Sequence, residues 1–196
     1  ITQSTDLEIE ITTVRKTAGN VYLHYGHVVK GIAAPEETVT ATVNPETRRR
    51  TMSHHTATHL LQASLREVLG DHVKQSGSAV GPDALRFDFT HYASVTYEQI
   101  REIEARINRW VWENRPVRWT ELSMKEAQDR GAIALFGEKY GERVRMVEIG
   151  GSMDERISAE LCGGTHVAST GEIGPVRVVT ETAISAGNRR IEAVAG

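Results

Sequence analysis

One cysteine, Cys162, is all the thiol chemistry this 196-residue chain carries. A single cysteine excludes an intrachain disulfide, and it fits a reducing compartment such as the cytoplasm better than secretion. No apolar run approaches the ~20 residues that a membrane-spanning helix needs, and no signal-peptide pattern opens the chain. Positive charge is not in excess either. With 23 Lys and Arg against 26 Asp and Glu the net charge is −3, so any nucleic-acid surface must be local. Internal repeats and low-complexity tracts are also missing. What is present is ordinary for a globular protein: 39% hydrophobic and 25% charged residues, over a length that suits one large domain or two small ones. The chain opens on Ile1 rather than Met, which reads as a piece of something longer.

Residues 1–46 read as a small antiparallel β unit, part of a barrel. LEIEITTV (Leu7–Val14), VYLHYGHVV (from Val21) and TVTATV (Thr38–Val43) supply its strands, between turn signals at Gly19-Asn20, Gly31, Pro35 and Asn44-Pro45. Residues 47–196 read as a second domain with helices on a mainly antiparallel sheet. A helix is expected from Ser53 as N-cap to Leu69, with Gly70 as its stop. Capping boxes at Thr96/Gln99 and Ser123/Glu126 start two more, the first ending near Asn114 and Pro116 and the second at Gly131. Strands are expected at Leu85–Phe89, Val144–Ile149, Val176–Thr182 and Arg190–Val194. Strands and helices without regular βαβ alternation make the fold class α+β.

The chemistry concentrates in two short strings, SHHTATHLL and LCGGTH. His55 and His59 are four residues apart on the expected helix, so they point the same way. Cys162 and His166 repeat that spacing about half a chain later. Three imidazoles and a thiolate are a tetrahedral Zn²⁺ ligand set. A metalloprotease helix needs Glu directly after its first histidine, and here that residue is Thr56. The long separation of the halves argues against a zinc finger. A closed structural zinc site remains open beside a catalytic one, but the flexible Gly163-Gly164 pair suits a close-approaching ligand, an oxyanion included. His54 is expected to face solvent in the first turn of the helix. Arg48, Arg49 and Arg50, with Arg189 and Arg190, form the local basic clusters.

The strings RRRTMSHHTATHLLQASLREVLG, KQSGSAVGPDALRFDFTHY, GAIALFGEKYGERVRMVEIGG, ISAELCGGTHV and GNRRIEAVAG resemble, in order, the editing domain of alanyl-tRNA synthetase. The HxxxH…CxxxH arrangement is shared more widely, with threonyl-tRNA synthetase editing domains and free-standing trans-editing proteins. The resemblance implies hydrolysis of the ester in tRNA(Ala) mischarged with serine or glycine. It implies zinc as cofactor with His55, His59, Cys162 and His166 as ligands, and pocket roles for Thr58 and Gln75. It also implies that the aminoacylation region, with its ATP chemistry, lies elsewhere in a parent synthetase.

Asp88 and Glu160 are the nearest carboxylates for general-base work or for supporting a ligand, although a surface ion pair with Arg86 is the commoner fate of Asp88. Gly163 and Gly164 would line the substrate, and the five arginines would hold acceptor-stem phosphates of tRNA(Ala). Tyr92 or Phe136 would stack on the single-stranded 3′ end. The metal's part is left open between activating water, polarising the ester carbonyl and orienting the substrate. Two other functions compete: a free-standing trans-editing deacylase, and a zinc-stabilised tRNA-binding module without catalysis.

Overall fold

A computed structural model describes residues 2–4 as backbone and residues 6–19, 21–134 and 141–196 in full. It divides into two compact units, Ile1–Arg48 and Arg49–Gly196. In the first, β1 (Thr2–Ser4), β2 (Leu7–Lys16), β3 (Tyr22–Lys30) and β4 (Thr40–Ala41) form an antiparallel sheet in the order β3-β2-β1-β4. The segment Thr38–Val43 pairs over only two residues, less than its alternation predicts.

Helix α1 (Pro45–Leu69) begins about two turns before the expected Ser53. The Asn44 side chain accepts the Thr47 N–H at 3.0 Å, and Pro45 loses nothing at a first helical position, where its missing N–H would have no partner. Asn44-Pro45 is thus a helix start rather than a plain turn. Because the helix starts early, Ser53 is an interior residue, and α1 is buried almost all round from Ser53 to Leu65.

The second unit continues with β5 (Gln75–Val80), β6 (Leu85–Thr90), α2 (Tyr97–Trp112), β7 (Val117–Ser123), α3 (Met124–Asp129), β8 (Arg143–Gly150), β9 (Arg156–Leu161), β10 (Val176–Ser185) and β11 (Asn188–Ala195). Both expected capping boxes are present, at Thr96/Gln99 and Ser123/Glu126. Two antiparallel sheets result, in the orders β10-β11-β6-β5 and β7-β8-β9, so the fold is α+β. Three strands of this unit escape the sequence pattern. β5 is a chain of small and polar residues at a sheet edge, β7 follows Pro116 with few apolar side chains, and β9 buries Ser158 and Glu160 beside Ala159 and Leu161. A strand with polar residues inside shows no hydrophobic alternation.

Leu60, Leu61 and Leu65 of α1 pack with Phe87 and Phe89 of β6, Ile103 and Ile107 of α2, and Ile191 of β11 in the main core. Each large apolar side chain buried in this way is worth about 1.5–3 kcal/mol. A smaller core joins Ala127 of α3 to Val144 and Met146 of β8 and Leu161 of β9. The first core fixes α1 and the second fixes the end of β9. Those two elements supply the chemical groups.

Candidate metal centre

The fold brings the two distant pairs together. One ligand atom from each of His55, His59, Cys162 and His166 lies within 4.8 Å of the other three. Cys162 Sγ is 3.3 Å from His55 Nε2 and 3.4 Å from His166 Nε2. Bonds of about 2.3 Å to sulfur and about 2.0–2.1 Å to nitrogen at tetrahedral angles put such atoms about 3.5 Å apart. Those two separations match a zinc-sized tetrahedron, and the other donors lie within 4.8 Å.

Two of the three histidines, His59 and His166, are aimed by a partner behind them. His59 Nδ1 lies 2.8 Å from Glu160 Oε2, and Ser158 Oγ donates to the other oxygen of that carboxylate at 2.7 Å. His59 Nε2 is then left buried with no hydrogen-bond partner among the described residues, which is where a fourth ligand bond would form. His166 Nδ1 is 3.3 Å from Thr56 Oγ1. That hydroxyl gives its proton to the Met52 carbonyl at 3.0 Å and accepts the Val167 N–H at 3.2 Å. The imidazole must therefore be the donor, which leaves its Nε2 lone pair turned to the cluster.

Two further contacts shape the Cys162 loop. The Gly164 N–H points at Cys162 Sγ across 3.5 Å, so it serves the thiolate rather than an external oxyanion. Arg145 of β8 donates to the carbonyls of Gly163 at 3.3 Å and Gly164 at 2.7 Å, and its own carbonyl accepts the Cys162 N–H at 3.0 Å. A Cβ at position 164 would overlap the His55 ring, whereas one at position 163 would meet nothing within 4 Å.

The electrostatics match a thiolate site. Burial opposes ionisation of Cys162, but the imidazoles of His166, His55 and His59 around its sulfur, with the charge of His59, outweigh it and hold the thiol pKa at about 3. Burial also opposes charge on His59, yet the Glu160 carboxylate and Cys162 prevail and raise its pKa to about 10. Burial lowers the pKa of His166. Without metal, the site holds a thiolate beside an imidazolium.

The remaining predicted residues are placed as follows. Thr58 is buried and donates its hydroxyl to the His54 carbonyl at 2.8 Å. Gln75 donates to Ser78 Oγ at 3.1 Å and lines a groove of about 250 Å³ that it shares with Gln62 of α1. Asp88 is buried on β6, and Arg190 grips it from β11 with bonds of 2.7 and 2.8 Å. Arg86 stands farther away, at 3.7 Å, so a buried cross-strand pair replaces the expected surface pair. Arg189 makes a similar two-pronged pair with Glu181, at 2.6 and 2.7 Å.

Arg48, Arg49 and Arg50 are exposed at the start of α1, with Arg50 3.2 Å from Asp83. Tyr92 is exposed, and Phe136 lies outside the described residues. His54 does not face solvent: it is 1% exposed, accepts the Ala195 N–H at 3.1 Å, and its pKa is lowered by burial. The early start of α1 puts it mid-helix rather than in the first turn. Thr56, Ser158 and Arg145 were missed as supporting groups. Thr56 and Arg145 act on residues far along the chain, and Ser158 serves a carboxylate whose own partner, His59, lies on another element.

Residues 144–192, which include Cys162 and His166, match the family described as the threonyl and alanyl tRNA synthetase second additional domain. That stretch is thus similar to an accessory domain of aminoacyl-tRNA synthetases. Over nearly its whole length the chain is homologous to one segment of alanine--tRNA ligases. It is 51% identical over 191 residues to that of Pelotomaculum thermopropionicum, covering 97% of this chain and 21% of that protein. Identity is 50% over 196 residues with that of Desulforamulus reducens, covering 100% and 22%. With that of Thermus thermophilus it is 51% over 187 residues, covering 95% and 21%. The chain therefore spans about a fifth of the length of these relatives. Among the described residues no helix is long and apolar enough to cross a membrane.

Proposed function

We propose that this chain is the editing part of an alanine--tRNA ligase, acting in the cytoplasm, which hydrolyses Ser-tRNA(Ala) and Gly-tRNA(Ala) at a zinc site. The observation that carries this reading is the convergence of His55, His59, Cys162 and His166, with His59 Nε2 buried and without a hydrogen-bond partner among the described residues. A thiolate with three imidazoles is a borderline-soft donor set that suits zinc. His55, His59, Cys162 and His166 would hold a zinc ion, which would supply a Lewis acid to orient or polarise the ester.

The need for such a site is physical. A pocket made for alanine cannot exclude glycine by size, and an added hydroxyl is rejected by only about a hundredfold in comparable pockets. Hydrolysis breaks the bond between the aminoacyl carbonyl carbon and the ribose oxygen. Water oxygen takes the place of that ribose oxygen, which leaves carrying a proton. Thr58 and Gln75 are not bases near neutral pH, so their part is to hold substrate or water by hydrogen bonds. Gly163 leaves open space beside the loop for the aminoacyl group. Glu160 is a positioning residue here, since its carboxylate is committed to His59 and Ser158.

Phosphates of the acceptor stem would meet Arg48, Arg49 and Arg50, which are exposed, Arg50 with a single exposed contact to Asp83, whereas Arg189 and Arg190 are held in two-pronged ion pairs. Residues 1–46 form a separate β subdomain in this reading, and residues 47–196 the editing domain. The test is Cys162→Ala, followed by zinc content and Ser-tRNA(Ala) hydrolysis. Loss of both with the fold retained supports the reading. Unchanged hydrolysis overturns the zinc-dependent mechanism. A wild-type chain that binds tRNA without hydrolysing either ester is a binding module instead.

A further inference from the structure

Trp119 is an unusual residue to leave on a sheet surface. It lies on β7 and is 59% exposed, although a large aromatic ring costs more than most side chains to leave in water. It is held in place by Arg145, whose guanidinium sits 4.9 Å from the ring centroid. The register explains the pairing: Arg145 stands opposite Glu121, two residues from Trp119 on the same face of β7. The same guanidinium reaches the other way and donates to the Gly163 and Gly164 carbonyls. Gly164 in turn lies against the His55 ring. An unbroken chain of contacts thus runs from an exposed indole, through one arginine, to the loop that carries Cys162.

We infer that Trp119, backed by Arg145, is the stacking platform for the 3′-terminal nucleobase of the substrate. This rests on the deacylase reading only for the nature of the ligand. An aminoacyl ester on the terminal ribose brings its nucleobase to within a few ångströms of the metal loop, where a flat, half-open π surface is wanted. Stacking of bases on aromatic side chains is the usual way single-stranded ends are held, and it tolerates any base. An arginine over the ring adds a positive charge near the terminal phosphate without requiring a sequence contact. Tyr92, an aromatic that the sequence nominates, has no such link to the loop among the described residues.

The test uses two hydrolysis-resistant probes and this chain loaded with zinc. One is adenosine carrying serine as a 3′-amide; the other is the same ribosyl amide without the base. Wild type is expected to bind the adenosine probe at least about tenfold more tightly than the abasic one. Trp119→Ala should abolish that difference while leaving zinc content and affinity for the abasic probe unchanged. Trp119→Phe should restore most of it. If Trp119→Ala leaves the base-dependent advantage intact, or if wild type shows none, the inference is overturned. Base-dependent binding that requires Trp119, in a wild type that fails to hydrolyse Ser-tRNA(Ala), overturns the deacylase reading and upholds the platform.

Discussion

Glu160 Oε2 stands 2.8 Å from His59 Nδ1, and both side chains are buried. The contact joins a strand to a helix and decides which imidazole nitrogen faces the other three ligands. A carboxylate behind a ligating histidine fixes its tautomer and raises its basicity. Glu160→Gln is therefore expected to weaken metal affinity about 10- to 100-fold, with the fold retained. Chelator competition on the purified protein checks this. Unchanged affinity would remove Glu160 from the metal site.

The glycines of the Cys162 loop differ in what surrounds them. Gly164→Ala would drive a methyl group into the His55 ring, whereas Gly163→Ala meets open space. The first should lose most of its bound metal, because an imidazole pushed aside leaves three ligands. The second should keep full metal content. Elemental analysis of the two variants side by side decides it, and equal metal content in both would contradict the placement of His55.

Metal uptake should release protons in a defined number. The thiol, with its pKa near 3, is already ionised at neutral pH, while His59, with its pKa near 10, still carries the proton that a metal bond must displace. About one proton per metal is expected at pH 7, coming from His59. Calorimetry in buffers of different ionisation enthalpy measures the count. Affinity should rise with pH between 7 and 10 and should then level off.

Asp88 and Arg190 hold β6 to β11 through a two-pronged ion pair. Hydrogen bonds from Arg190 lower the carboxyl pKa of Asp88 below its ordinary value, against the cost of its burial. A carboxyl whose pKa is lowered by folding contributes its full stability above the unfolded value, about 3.9, and loses that contribution as pH falls through the folded value. Asp88→Asn should cost roughly 1–3 kcal/mol at pH 7, discounted because Arg190 is partly exposed. The gap from wild type should close below about pH 4. Urea denaturation at several pH values reads both effects.

The features that the sequence determines by itself are local ones. His55 and His59 share a helix face because the helical repeat is short. Thr96 and Ser123 announce α2 and α3 because a capping box closes within four residues. The alternation of β2, β6 and β8 shows because one face of each is apolar.

Tertiary structure decided everything that depends on residues far apart in the chain. It brought Cys162 and His166 to the helix pair, and it turned Asp88 from Arg86 toward Arg190. It buried His54 against Ala195, and it hid β9 behind a polar interior. Arg145 binds two glycine carbonyls and a tryptophan ring only after β7, β8 and the Cys162 loop have come together. The physical reason is the same in each case. Side-chain spacing governs which way a residue points on its own element, but its partner is set by the packing of elements that the sequence separates.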